Sequence, residues 1–190
     1  MMKDLVDFTI ILPTRDESHN TKKVFEIGSE FARTKWLVFT DADIEFAHDF
    51  FDKLITYSGY DLIYGPKLSD GDYSVYYKLF SHGQYLIDSL GVPAASGPNC
   101  VITKEAYVKS GGFDIELICN EDSEIARRVK QTGYKALYDP KLIVYAADHR
   151  RLEMVMIRKT LHSIIRCSLL YFRFMPQKLR RYDWGIGPEN

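Results

Sequence analysis

The chain has 190 residues, 46% of them hydrophobic, 27% charged and 14% aromatic. That suffices for one domain with a real core, is too short for two full-size domains, and excludes wholesale disorder. A net charge of −1 argues against general nucleic-acid binding, but it hides a net of +6 over residues 150–190 and −7 over residues 1–149.

Residues 7–13, β-branched and apolar and closed by Pro13, read as a buried strand. Residues 20–33 read as a helix whose apolar face is Val24, Ile27 and Phe31, with Gly28 and Ala32. A second strand covers 35–40 and stops at Asp41. A helix over 47–57 and a short strand over 61–65 follow, then a long aromatic-rich helix over 73–90. Pro and Gly make 91–98 a loop. A strand over 99–103 and a helix over 104–110 end at Gly111-Gly112, and a helix over 121–132 ends at Gly133. Strands over 135–138 and 142–146 flank Asp139-Pro140, and a helix over 152–174 is ended by Pro176. Strands alternating with helices predict an α/β fold with a mostly parallel sheet, whose ligands sit at the carboxyl ends of the strands. The predicted division is an acidic body over 1–149 and a basic helix and tail over 150–190.

No run of about 18 uncharged apolar residues offers a transmembrane helix. The opening Met1-Met2-Lys3-Asp4-Leu5 lacks the pattern of a signal peptide. Cys100, Cys119 and Cys167 are odd in number and widely spaced, which suits reduced thiols in a cytoplasmic setting.

Asp41-Ala42-Asp43 puts two carboxylates at the end of a strand, where a hard cation such as Mn²⁺ or Mg²⁺ finds oxygen ligands beside substrate phosphates. Glu121-Asp122 opens a helix, where acids suit the dipole and where a carboxylate can serve as general base. His149 follows a strand and is a candidate metal ligand. Arg150 and Arg151 either grip a diphosphate or simply begin the basic tail. Thr14-Arg15-Asp16-Glu17 either touch a nucleotide or cap the next helix. His19, His48, His82 and His162 share no ligand spacing, and no G-x-S-x-G, Walker or G-x-G-x-x-G motif occurs.

Four stretches in order resemble GT-A glycosyltransferases, and family 2, the inverting nucleotide-sugar enzymes, most of all. They are Thr9–Glu17, Gly28–Asp43, Gly97–Asp114 and Asn120–Arg128 with Gly133-Tyr134. The resemblance implies a GT-A fold and sugar transfer, with inversion, from a UDP- or GDP-sugar to an acceptor hydroxyl or a lipid phosphate. It implies that Pro13, Thr14 and Glu17 line the nucleoside pocket and that Asp41 and Asp43 form the D-x-D motif meeting ribose and metal. It also implies Asp122, beside Glu121, as the catalytic base, Asn99 and Cys100 on the acceptor side, and His149 on the metal; Glu45 is a weaker ligand candidate. The chain departs from the family by lacking a βα unit, on the order of 30 residues, between Glu17 and the helix before D-x-D. A degenerate module that binds a partner, lipid or sugar without catalysis is therefore the alternative, with an Asp41-based phosphatase behind it.

The helix over 152–174 carries Arg158, Lys159, Arg166 and Arg173 beside Ile157, Leu161 and Ile165. It reads either as a surface helix packed on the domain or as a basic amphipathic helix on an anionic membrane surface, which a lipid-linked acceptor would suit.

Overall fold

In a computed structural model, the described residues are 7–13, 18–117 and 120–147, with 160, 161, 165, 168, 169 and 176. Thr14, Glu17, Cys119, His149, Arg150, Arg151 and most of 152–174 lie outside them, although each described position from 160 to 169 is helical.

Trp36–Phe39 (β2) shows why the sheet forms. It is apolar at every position, and all four residues are buried. Side chains alternate across a strand, so both of its faces must be covered. Leu37 and Phe39 join a cluster with Phe25 of Ser18–Phe31 (α1), Ala106 and Tyr107 of Lys104–Lys109 (α4), and Ile125, Ala126 and Val129 of Glu121–Gln131 (α5). Trp36 and Val38 point the other way, into a cluster with Phe50 and Leu54 of Phe50–Leu54 (α2), Leu142 and Val144.

Five strands make the main sheet, in the order Phe8–Ile11 (β1), β2, Cys100–Thr103 (β6), Leu62–Tyr64 (β4) and Ala136–Tyr138 (β7). β1 is parallel to β2 and β4 to β7, while β6 runs antiparallel to both of its neighbours. Four of the five strands therefore share one direction, the mostly parallel α/β sheet that the sequence predicts. A smaller sheet joins Ile44–Phe46 (β3), Val144–Ala146 (β8) and Lys67–Leu68 (β5), in that order. Ser74–Ser89 (α3) docks on it through Tyr77 against Ala146.

β3 and β5 are absent from the sequence reading. They have three and two residues, too few to show a period. The predicted helix over 20–33 forms as α1, but its face is corrected. Phe25 and Ala32 are buried with Lys22 and Ser29, whereas Val24, Ile27 and Phe31 are exposed. β1 explains this: it is the edge of the main sheet, so α1 has strands to cover on one side only. No helix among the described residues is long and apolar enough to cross a membrane.

Candidate active site

The strand directions bring one set of ends together. The carboxyl ends of β1, β2, β4 and β7 and the amino end of β6 share one edge, with Phe39 and Tyr64 both opposite Cys100 in register. The Thr40 N–H donates to Ile11 C=O at 3.4 Å, which fixes the exit of β2 beside the exit of β1. Asp41 follows at once, half-buried, and Pro13 is half-buried at the exit of β1.

The second sheet fixes the rest of the acidic turn. Ala42 and Asp43 turn, and β3 pairs antiparallel with β8, Ile44 opposite Ala146. The Ala147 N–H donates to Asp43 C=O at 2.9 Å. Ala147, two residues before His149, is thus held beside Asp43. Glu45 is exposed on β3, opposite Tyr145.

Gly65 lets the two sheets meet. A Cβ there would lie 2.0 Å from the Leu142 carbonyl oxygen and 2.8 Å from that of Asp139, so only glycine fits. Asn99 ties the same junction. Its side-chain amide donates to Pro66 C=O at 3.2 Å and to Leu142 C=O at 2.7 Å. Its Oδ1 and the Thr40 Oγ1 are buried with no hydrogen-bond partner among the described residues. Asn99 and Cys100 are 1% and 0% exposed, so they form the floor of the site rather than its open surface.

Asp122 is an electrostatic neighbour of Asp41. Asn120 precedes α5 at φ 62°, a left-handed conformation that asparagine tolerates better than most residues. The turn directs Asp122 inward, where it is 9% exposed. The Ser123 N–H donates to Asp122 Oδ1 at 2.8 Å, and Oδ2 faces the Gly97 backbone. Burial pushes the Asp122 carboxyl up to about 7, with the charges of Glu121 and Asp41 adding to the rise. Burial also raises the Cys100 thiol, and Asp122 adds to it. Asp41, Asp122 and Cys100 are therefore electrostatic neighbours, on the face of the sheet that α5 covers.

The helix carrying Asp122 is anchored firmly. Glu124 is buried and pairs with Arg127 at 3.0 Å and Arg128 at 2.7 Å. Arg128 also donates to the carbonyls of Ser110 and Gly112. α5 is thus pinned to the end of α4.

The structure brings Pro13, Asp41, Asp43, Asn99, Cys100, Glu121 and Asp122 to one edge; Thr14, Glu17, His149, Arg150 and Arg151 fall outside the described residues. No group of three or more His, Cys, Asp or Glu is placed to hold a metal among the described residues. Two carboxylates at a strand end nonetheless suit a hard cation that takes its other ligands from substrate phosphates. Sequence reasoning missed Gly97 against Asp122, Thr40 and the tether at Ala147. Of these only Gly97 had a sequence signal, a glycine between Ser96 and Pro98 at the start of a matching stretch.

No protein-family model and no curated protein matches the chain. Among solved structures it is similar to the mannosyltransferase PcManGT from Pyrobaculum calidifontis, in complex with GDP-Man and Mn²⁺. Identity is 16% and the TM-score 0.58, covering 87% of this chain and 49% of that one. GalNAc-T7, with UDP, GalNAc and Mn²⁺, overlaps less, with 16% identity, a TM-score of 0.46, and 65% and 30% of the two chains covered. The chain spans about half the length of the first of these. It has the GT-A fold.

Proposed function

We propose that the chain is a glycosyltransferase that moves a sugar from a nucleotide diphosphate sugar to an acceptor hydroxyl or lipid phosphate, with inversion and with a divalent cation. The observation that supports the reading is Asp122, a carboxylate only 9% exposed at the start of α5, near enough to Asp41 and Glu121 that their charges add to burial in raising its pKa. A general base works best when its pKa lies near the working pH.

Asp122 takes the proton of the acceptor oxygen as that oxygen forms its bond to the anomeric carbon. The bond from that carbon to the diphosphate breaks on the opposite face, its electron pair leaving with the diphosphate, so the configuration inverts. Asp41 and Asp43 would hold Mn²⁺ or Mg²⁺, with His149 as a further ligand; such a cation offsets the charge that grows on the leaving diphosphate. Pro13, Thr14 and Glu17 would contact the nucleoside, Arg150 and Arg151 the diphosphate. The rigid mounting of α5 supports the base role, since positioning supplies much of catalysis.

Asp122→Ala and Asp43→Ala should each abolish transfer while leaving the thermal unfolding of the purified protein cooperative. Wild-type transfer rates in Asp122→Ala would remove the base assignment.

A second reading, a binding module without catalysis, is favoured by β1 being the edge strand, where family members place a further βα unit. Calorimetry with UDP- and GDP-sugars and Mn²⁺ separates the two. Binding of a donor supports transfer, and silence across the panel supports the module.

A further inference from the structure

Beside Asp122, on the side formed by α3, lies a cavity of about 260 Å³. Leu79, Phe80 and Ile87 of α3 form one wall, Ala94 and Ala95 of the 91–98 loop another, and Asn120 and Ser123 of the α5 entry a third. The cavity and the base share structure. The Ser123 Oγ donates to Ala95 C=O at 3.3 Å, and Gly97, two residues further on, faces Asp122 Oδ2. Asp122 is thus an electrostatic neighbour of Asp41 and directly precedes Ser123 of the cavity wall.

The cavity's chemistry is selective. None of its described lining residues carries a charge. The Gln84 amide is buried: its nitrogen donates to Ala94 C=O at 2.9 Å, and its Oε1 has no hydrogen-bond partner among the described residues. The Tyr76 hydroxyl is bonded to Thr160 at 2.8 Å. Such walls, mostly apolar and without a described charge, suit a hydrocarbon guest and offer no cation to a phosphate, while Gln84 Oε1 leaves one acceptor for a hydroxyl.

Gly83 lines the cavity from within α3, where glycine is among the poorest helix formers. Among the described residues a Cβ built on it meets nothing within 4 Å, so a larger side chain there would enter the space. Protein interiors are ordinarily close-packed, and a larger residue here would favour the helix and fill the space. Glycine does neither.

We propose that this cavity takes the hydrocarbon end of the acceptor, an alkyl or isoprenyl chain, and leaves the acceptor's reactive oxygen at Asp122. The identity of that guest as an acceptor rests on the sugar-transfer reading. An engineered apolar cavity of roughly 150 Å³ holds benzene, so this one suits a chain of about ten carbons.

The test titrates the full chain calorimetrically with n-decanol and with geranyl phosphate, each below its aggregation limit, and with glycerol as the polar control. The variants are Gly83→Leu, which plugs the cavity, and Gly83→Ala, which adds one methyl into open space. Both apolar probes should bind the wild type and glycerol should not. Gly83→Ala should bind them more weakly, and Gly83→Leu at least about tenfold more weakly, with unchanged affinity for the nucleotide sugar and Mn²⁺. Tighter binding of geranyl phosphate than of n-decanol would assign the acceptor to a lipid phosphate, and equal binding to a hydroxyl. No binding of either probe to the wild type, or equal binding to wild type and Gly83→Leu, would overturn the proposal. Plug-sensitive binding of the probes without donor binding would remove the transfer reading alone and leave the chain site standing.

Discussion

Asp122 is destabilising in its ionised form, because it carries a charge into a buried position beside two other acids. Its folded pKa lies above its unfolded value of 3.8. The folded state therefore binds the extra proton between about pH 4 and about pH 7, and the contribution to stability falls as pH rises through that window. Asp122→Asn removes the charge and keeps the shape. It should raise stability at pH 8 by roughly 2–4 kcal/mol and leave it nearly unchanged at pH 4, as read from denaturant unfolding at the two pH values. A loss of stability at pH 8 would mean that the carboxylate has partners that offset its burial. Gly65 makes the opposite case, because its value is steric. Gly65→Ala puts a methyl against two carbonyl oxygens and should cost about 3 kcal/mol or more, whereas Gly59→Ala, at a positive φ in open space, should cost about 1 kcal/mol. Equal costs at the two positions would show that the sheets can part at little expense.

The elements were readable in proportion to the strength of their periods. β2 is four apolar residues followed by Thr40 and Asp41, and it forms within the predicted span 35–40. α3 and α5 are long enough to show their apolar spacing and fall within a residue or two of their predicted bounds. β3 and β5 carry no such signal, because a three-residue strand is created by its partner, here β8. The face of α1 was misread for a similar reason. Its sequence offers two stripes, Phe25–Ala32 and Val24–Ile27–Phe31, and only the sheet decides which is buried. Phe31 is left 78% exposed, and so are Ile10 of the edge strand β1 and Leu12 just after it. The acids of the candidate site were legible because they sit at strand and helix ends, which sequence marks well. The cavity beside them was not, since α3 and the loop after it, the start of α5 and Thr160 line it together from distant parts of the chain, and its best signal, a glycine inside a helix, looks like a blemish until the space beside it is seen.

For the molecule as a whole, charge is the coarse variable. The body from 1 to 149 carries −7 and the tail from 150 to 190 carries +6. An acidic body is repelled by an anionic lipid surface, while a basic amphipathic segment gains about 1 kcal/mol for each Lys or Arg brought close to it. The full chain should therefore sediment with phosphatidylserine vesicles at low salt, release near 0.5 M NaCl on the order expected from screening, and ignore phosphatidylcholine vesicles. Replacing Arg158, Lys159, Arg166 and Arg173 with Gln should abolish the binding. Equal sedimentation with neutral vesicles, or no sedimentation at all, would assign the helix to packing on the domain.

The hydrogen bond from Ala147 to Asp43 turns these scales into one device. The root of the tail and the acidic turn share a peptide contact, so neither can be displaced without pulling on the other. Coupling between two binding equilibria is reciprocal. A donor that steadied the turn would steady Ala147 with it, and a surface that held the residues after Ala147 would return the same free energy to the donor. Donor affinity measured with and without phosphatidylserine vesicles reads that coupling: equal affinities would mean that the contact at Ala147 transmits nothing.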